Sequence, residues 1–151
     1  MIKKIDITQQ KSAEQVLAIQ MPAYRVEAEL IGFDDLPPLR DTVVSLQACG
    51  ETFWGNWIGE ELAGAISYKR EDEVLDIHRL IVSPDHFRKG IAGQLLTHAI
   101  ENEPETKKVI VTTGAKNTPA KQLYKRFGFQ ELRDVEVAPG LSLTFFEKLL
   151  S

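Results

Sequence analysis

One stretch, residues 75–94, constrains this chain more than any other, and it reads LDIHRLIVSPDHFRKGIAGQ. It runs from an apolar strand through a Ser-Pro turn and a basic loop to a glycine and an amphipathic helix. The first N–H groups of a helix are unpaired and carry a partial positive charge, so they can bind a phosphate. Gly90 lets the main chain approach a ligand closely, and Arg88 and Lys89 add positive charge. The stretch therefore predicts a site for the diphosphate of a cofactor.

The composition excludes several other classes of protein. The chain has 151 residues, of which 43% are apolar, and a formal net charge of −4, which is typical of one ordinary domain with its own core. Because no large basic surface is indicated, a nucleic-acid partner is not expected. The sequence has no signal-peptide pattern, and no apolar run approaches the roughly 18 residues that cross a membrane. With Cys49 as the single cysteine, we expect a cytoplasmic protein without a membrane partner.

The N-terminal part predicts a short strand and two helices. Residues 2–7 alternate isoleucine with polar residues, as a strand does. Ser12 has the position of a helix cap, and Pro22 is expected to end or kink that helix. A second helix follows Pro37-Pro38, with apolar residues of the range 39–47 along one face.

Between these helices, residues 24–36 mix carboxylates with aromatic and apolar residues. The carboxylates are Glu27, Glu29, Asp34 and Asp35. The segment could form a lid that faces a substrate, or an irregular solvated connection, and the residues favour neither reading over the other.

From residue 53 onwards the pattern is that of a mixed sheet with helices on its faces, an α/β (α+β) fold. Residues 53–58 and 62–69 predict a hairpin, residues 75–82 the next strand, and residues 108–113 a strand buried on both faces. One helix begins at Gly90, and another begins at Thr118-Pro119, with Thr118 as its cap. A last hairpin is expected around Pro139-Gly140.

Two motifs in this order resemble those of the GNAT superfamily, the acetyl-CoA-dependent N-acetyltransferases. The first is Arg88-Lys-Gly-Ile-Ala-Gly93 after the strand 75–82, which is similar to the family's Gln/Arg-x-x-Gly-x-Gly/Ala motif. The second, residues 117–129, is similar to its Asn-x-x-Ala-x-x-x-Tyr…Gly-Phe signature. Phe87 departs from the pattern, which has Gln or Arg there, and this puts a side-chain contact at the loop entrance in doubt.

The resemblance, which extends over nearly the whole chain, implies a single N-acetyltransferase domain over residues 1–151. It implies a mostly antiparallel sheet that is splayed between the fourth and fifth strands and flanked by about four helices. It also implies that acetyl-CoA is the co-substrate. No metal is expected, because His78, His86 and His98 lack the spacing of metal ligands and there is no second cysteine. The residues that the resemblance assigns to acetyl-CoA are Leu80, Ile81, Val82, Arg88, Lys89, Gly90, Ile91, Ala92, Gly93, Asn117 and Tyr124.

The implied reaction is aminolysis of a thioester in a ternary complex, with Tyr124 as the acid that protonates the leaving thiolate. The other reading of Tyr124 is a residue of the apolar helix face, and that of Asn117 is a helix cap. A backbone N–H near Ile81 would stabilise the oxyanion. Arg88 and Lys89 could instead form a solvated turn.

Asp76 is the first candidate for the general base, because relatives have an acidic residue there. Strand alternation would place Asp76, His78, Leu80 and Val82 on one face. A hydrogen-bonded structural pair of Asp76 with His78 is an equal alternative, and His78 is the weaker candidate for base. The glutamate that other relatives carry on the fifth strand is replaced here by Thr112-Thr113.

These residues favour an enzyme that moves acetyl from acetyl-CoA to a primary amine. The acidic residues of the segment 24–36 suggest a small polar amine or a polyamine, followed by a peptide N-terminus or a lysine. A non-catalytic regulatory module that binds acyl-CoA is the alternative function. A homodimer is the possible assembly, because relatives are often dimers.

Overall fold

The computed structural model describes residues 1–150. Its strands are β1 Ile2–Ile5, β2 Thr52–Ile58, β3 Glu61–Glu71, β4 Val74–Val82, β5 Lys108–Gly114, β6 Gln130–Ala138 and β7 Leu141–Leu149. Its α-helices are α1 Gln10–Ile31, α2 Val43–Ala48, α3 Ile91–Glu101 and α4 Thr118–Arg126, and Pro37–Arg40 and Pro84–His86 form short 3-10 turns. Within residues 1–150 the strands form one seven-stranded sheet in the order β1-β2-β3-β4-β5-β7-β6.

The sheet opens between β4 and β5. These two strands are parallel, whereas the other neighbouring strands are antiparallel. Their pairing begins at Val74 with Lys108 and ends at Ile77 with Val111. Beyond that point β5 continues to pair with β7, while the end of β4 keeps only β3 as a neighbour. The predicted mixed, splayed sheet is therefore confirmed, as are the hairpins β2–β3 and β6–β7.

A bulge in β4 changes which way its side chains point. Ser67 of β3 pairs with Arg79, but the next residue, Tyr68, pairs with Ile77, so His78 is an extra residue. A bulged residue shifts the alternation of the strand by one position.

The two halves of β4 consequently pack into different clusters. Leu75 and Ile77 belong to the cluster beneath α3, whereas Ile81 belongs to the cluster with residues of α1 and α2. The prediction that Asp76 shares a face with Leu80 and Val82 was wrong, because the bulge at His78 lies between them.

Helix α1 is longer than the sequence predicted. It begins at Gln10, with Gln9 as the cap, and passes through Pro22 to end at Gly32, whose φ of 71° is left-handed. The predicted Ser12 cap was therefore wrong, and of the two effects predicted for Pro22, an end or a kink, the end does not occur. Proline in a helix interior removes one hydrogen bond and destabilises the helix. The helix continues nevertheless, because Ala28 and Ile31 beyond the proline are buried in a core cluster.

Helices α3 and α4 cover one face of the sheet and touch each other. A Cβ atom placed on Gly93 of α3 would lie 2.4 Å from the Phe127 ring at the end of α4. Only glycine leaves room for this approach. The contact fixes the start of α3 relative to α4, on either side of the opening in the sheet.

Candidate active site

A cavity of about 1000 Å³ opens where β4 and β5 separate. Its walls come from the end of β4, the basic loop, the start of α3, the start of α4 and one face of α1. The residues predicted to hold acetyl-CoA that line it are Leu80, Ile81, Val82, Arg88, Gly90, Ile91, Ala92, Gly93 and Asn117. Of the described residues predicted for this role, Lys89 and Tyr124 are not part of the lining.

The end of β4 presents unpaired main-chain groups to the cavity. The Ser83 N–H donates to the Ala63 carbonyl of β3 at 2.8 Å. Because antiparallel pairs alternate, the register gives Ile81 a hydrogen-bonded pair with β3 and turns the N–H groups of Leu80 and Val82 the other way. These two donors face the side from which β5 has departed.

The basic loop leads directly into an open helix start. Gly90 has a φ of 74°, and Arg88, which is not glycine, has a φ of 65°. A left-handed non-glycine residue is strained, and such strain is concentrated at ligand-binding loops. The Gln94 N–H makes the first hydrogen bond of α3, to the Gly90 carbonyl at 3.1 Å. The preceding N–H groups of Ile91, Ala92 and Gly93 therefore lack a helical partner and can bind an anion.

The two basic side chains of the loop differ in their surroundings. Arg88 is exposed and borders the cavity. Lys89 lies with its Nζ atom 3.0 Å from Nδ1 of the buried His86. Arg88 is thus the basic side chain of the loop that borders the cavity, whereas Lys89 contacts the 3-10 turn before it.

Asn117 is the helix cap that the sequence offered as one of its two roles, and its contact with the cofactor stays a prediction. Its Oδ1 atom accepts a hydrogen bond from the Ala120 N–H at 3.3 Å, so Asn117, and not Thr118 as predicted, is the cap of α4. Its Nδ2 atom donates to Oγ1 of Thr113 at 3.3 Å. The same residue lines the cavity.

Tyr124 is more deeply buried than an exposed catalytic acid would be. It is 5% exposed, and its ring packs against Phe129 and Phe146 with centroids 5.5 and 5.6 Å away. Burial, and secondly the charge of Glu27, raise its pKa well above the ordinary value. The phenol therefore keeps its proton at neutral pH and is a weaker acid than a solvated tyrosine.

Asp76 lies away from this cavity. Its carboxylate is 50% exposed, and its Oδ2 atom is 3.3 Å from Nε2 of His78. On the other side of the ring, Nδ1 of His78 is 3.4 Å from Oε2 of Glu51. Asp76 and His78 line a second cavity, between β4, β5 and β7. Asp76 and His78 are thus neighbours at ion-pair distance, and the role of Asp76 as a base stays a prediction.

The segment 24–36, read from the sequence as a lid or as a solvated connection, is helical as far as Ile31 and forms one side of the cavity. Ala23, Val26, Glu27 and Leu30 line it with the spacing of one helix face, and Tyr24 lies beside them. The signal was the 3.6-residue apolar period, which continues past Pro22. Burial raises the pKa of Glu27, while hydrogen bonding from the Asn117 side chain and the Gly114 N–H acts against that rise.

A comparison with protein families shows to which family the chain belongs. The model of the acetyltransferase (GNAT) family matches residues 13–129, a range that includes α1 and both motifs. The chain belongs to the GNAT acetyltransferase family. The resemblance to this family that the two motifs indicated is thereby confirmed.

Two proteins of Bacillus subtilis are similar in sequence to this chain. The UPF0157 protein YqkA of Bacillus subtilis is 44% identical over 134 residues, which are 89% of this chain and 39% of that protein. The uncharacterized N-acetyltransferase YsnE of the same organism is 40% identical over 84 residues, which are 52% of this chain and 56% of that protein. The chain thus spans about two fifths of the length of YqkA and just over half of that of YsnE.

The fold is also that of solved GNAT structures. The PaiA N-acetyltransferase from Thermoplasma acidophilum in complex with coenzyme A has a TM-score of 0.78 and 18% identity, with 99% of this chain and 98% of that chain covered. This likeness shows the fold. No helix among residues 1–150 is long and apolar enough to cross a membrane.

Proposed function

We propose that this GNAT domain transfers an acetyl group from acetyl-CoA to a primary amine by direct attack. The observation that carries the proposal is a single cavity bordered by the open edge of β4, the helix start at Gly90 and the cap of α4. These supply the three kinds of contact that an acyl-CoA needs. They are donors for its amide arm, an anion site for its diphosphate, and room for the thioester between them.

The charge and the main chain of this cavity fit the co-substrate. The N–H groups of Leu80 and Val82 would bind the amide groups of the pantetheine arm or the thioester carbonyl, where a fixed donor stabilises the oxyanion. The start of α3 and Arg88 would bind the diphosphate. Holding both substrates in one cavity raises the rate, because the reacting atoms no longer have to meet by diffusion.

Protons must move as the bond changes. The amine loses one proton before it attacks, and the sulfur gains one as the C–S bond breaks. Tyr124 is the proposed donor to sulfur, and burial keeps its proton in place until the thiolate forms. Asp76 is the base that the sequence suggests.

A non-catalytic acyl-CoA-binding module is the second candidate, and one observation favours it. Neither of the two predicted catalytic side chains lines the cavity: Tyr124 is buried behind it, and Asp76 borders another. Such a module would bind acyl-CoA in this cavity and release no thiol from it.

Two measurements test the proposal. The first is thermal melting with and without acetyl-CoA, for which a ligand at 100 times its Kd stabilises the fold by about 2.7 kcal/mol. An unchanged Tm at millimolar acetyl-CoA would refute the cofactor assignment. The second is thiol release from acetyl-CoA with a panel of amines, namely 2-phenylethylamine, spermidine, a peptide with a free N-terminus and a lysine amide. Acetyl-CoA binding without thiol release for any of these amines would favour the regulatory module.

A further inference from the structure

The second half of α1 turns an unfilled apolar face towards the cavity. Val26 is 40% exposed and Leu30 is 46% exposed, and both line the cavity together with Ala23. Exposed aliphatic side chains that share one concave surface mark a place where a ligand or a partner is buried. On the opposite side of the cavity are the groups proposed to hold acetyl-CoA. The α1 face is therefore the wall that remains for the acceptor.

Glu27 places a single negative charge within this apolar wall. The other acidic residues of the segment do not reach it. Glu29 is exposed and lies outside the lining, and Asp35 accepts a hydrogen bond from Nε of Arg40 at 2.9 Å. Asp34 is exposed and also lies outside the lining.

One other carboxylate, Glu101, belongs to the lining formed by described residues. It is the last residue of the 11-residue helix α3, about 15 Å along the helix from the anion site. Glu27 is thus the carboxylate that borders the opening between β4 and β5.

The carboxylate of Glu27 is held at the end of β5. The helix turn that follows Glu27 packs against the last residue of β5, because a Cβ atom placed on Gly114 would lie 3.0 Å from Cγ2 of Ile31. Asn117 and the Gly114 N–H favour the charged form of Glu27 and so lower its pKa against the effect of burial. Gly114 lies where β5 has separated from β4, so Glu27 faces the open edge at Leu80 and Val82 across the gap. An amine bound to Glu27 would lie beside a thioester bound to that edge.

We propose that Glu27 binds the acceptor as its ammonium ion and takes one proton from it, and that the α1 face selects a monoamine with an apolar group near the nitrogen. This inference rests on the proposed function and narrows its acceptor. The ammonium gives one proton to the Glu27 carboxylate, and the free amine then forms the C–N bond. As the C–S bond breaks, Tyr124 gives its proton to the sulfur. The nitrogen then gives its second proton to the Tyr124 oxygen. The proton on Glu27 passes to solvent, so the products are an amide, the free thiol of CoA and one proton.

The neighbours of Glu27 determine how the reaction would respond to pH. The titratable groups that face it are Tyr24, one turn earlier on α1, and Tyr124 on α4, and both have raised pKa values through burial and through the charge of Glu27. Both tyrosines are neutral at pH 7. The arginines of the lining, Arg88 and Arg126, belong to the basic loop and to the end of α4. Turnover falls as the pH drops through the pKa of Glu27, which burial moves above the ordinary carboxyl range.

The test compares Glu27→Gln with Glu29→Gln, an exposed glutamate on the same helix that lies outside the cavity. Each protein is first saturated with coenzyme A, and 2-phenylethylamine or spermidine is then titrated by calorimetry. We expect 2-phenylethylamine to bind the unchanged protein more tightly than spermidine does. Its affinity should fall at least tenfold in Glu27→Gln and stay the same in Glu29→Gln. A Glu27→Asp variant, which keeps the charge, should recover part of the loss.

Steady-state kinetics with acetyl-CoA add a second measurement. For Glu27→Gln we expect kcat/KM for 2-phenylethylamine to fall at least 30-fold and the acidic limb of the pH profile to disappear. Equal amine affinity in Glu27→Gln and the unchanged protein would overturn the inference, and so would tighter binding of spermidine or no binding of 2-phenylethylamine at 10 mM. Failure of the proposed function would look different, because acetyl-CoA itself would then leave the Tm of all variants unchanged.

Discussion

The two walls of the cavity are built in different ways. The wall of β4, α3 and α4 acts mainly through the main chain, with left-handed residues at Arg88 and Gly90 and open N–H groups behind them. The α1 wall acts through side chains, an apolar face with one carboxylate. Main-chain donors can bind any acyl-CoA. The side chains that line the α1 wall, in contrast, can be substituted without disturbing the fold. The difference suggests that one wall preserves the co-substrate while the other determines the acceptor.

If this division is right, the largest effect on the cofactor should come from the start of α3. Ala92→Asp places a carboxylate among the N–H groups that are proposed to bind the diphosphate. The unliganded protein should melt at the same temperature or slightly higher, because an acidic residue in the first turn is favourable for a helix. The acetyl-CoA affinity should fall by about 2 kcal/mol or more, as an unfavourable charge in a partly buried site costs.

Calorimetry with acetyl-CoA measures that loss. The neutral variant Ala92→Ser, of similar size, serves as the control and should keep the affinity within about threefold. Equal affinity in both variants would mean that the diphosphate binds elsewhere.

The next effect concerns Tyr124, which is buried behind the cavity on α4. Tyr124→Phe removes the hydroxyl and keeps the ring that packs against Phe129 and Phe146. We expect kcat to fall about 100-fold or more, the lower end of a general-acid contribution, while the Kd of acetyl-CoA stays within about twofold. Single-turnover thiol release separates these two quantities. An unchanged kcat would remove Tyr124 from the mechanism.

A smaller effect is expected from Asp76, which stands outside the cavity. If the base is on the α1 wall, Asp76→Asn should change kcat/KM by less than about threefold and leave the acidic limb of the pH profile in place. The same measurement on Glu27→Gln provides the matched comparison. Loss of the acidic limb in Asp76→Asn, and its retention in Glu27→Gln, would restore the assignment made from the sequence.

The smallest expected effect is on stability, and its sign is opposite to the effect on activity. A raised carboxyl pKa means that the folded chain holds the proton of Glu27 more tightly than the unfolded chain does. The stability of the unchanged protein therefore falls as the pH rises from the unfolded pKa to the higher folded pKa, and it stays lower above that window. Glu27→Gln should accordingly raise the Tm at pH 7. Below the ordinary carboxyl pKa, Glu27 is protonated in both the folded and the unfolded chain, so the higher Tm of Glu27→Gln should vanish.

Thermal melting at several pH values measures this difference. Glu29→Gln should show no such pattern, because that side chain is exposed in the fold. A Glu27→Gln variant that melts lower than the unchanged protein at pH 7 would show that the hydrogen bonds to the carboxylate outweigh its burial.

The sequence was informative where one local pattern determines one local structure. Gly90 after a strand and before an amphipathic helix has few other uses, and residues 130–149 alternate as hairpin strands do. The GNAT family and the splayed sheet could therefore be predicted, and both are confirmed. The cytoplasmic location and the homodimer stay predictions.

The features that the sequence did not predict depend on tertiary contacts, which a local sequence pattern does not indicate. Pro22 is a helix breaker by propensity, yet burial of Ala28 and Ile31 keeps α1 continuous. For that reason the carboxylates near residue 30 looked like one acidic segment, although Glu27 alone among them borders the cavity. A bulge likewise leaves no trace in an apolar strand, so Asp76 was placed beside Leu80 by an alternation that the chain does not keep.

The extra residue at His78 also makes β4 unusually sensitive to changes in length. A strand normally tolerates a substitution better than a deletion, and here a deletion of one residue would turn the entire end of β4 by half a rotation. Ile81 would leave its core cluster, and the two donors now facing the gap would point at β3 instead. Chains descended from this one can thus vary the chemistry of position 78, but not its presence, without losing the orientation on which the open edge depends.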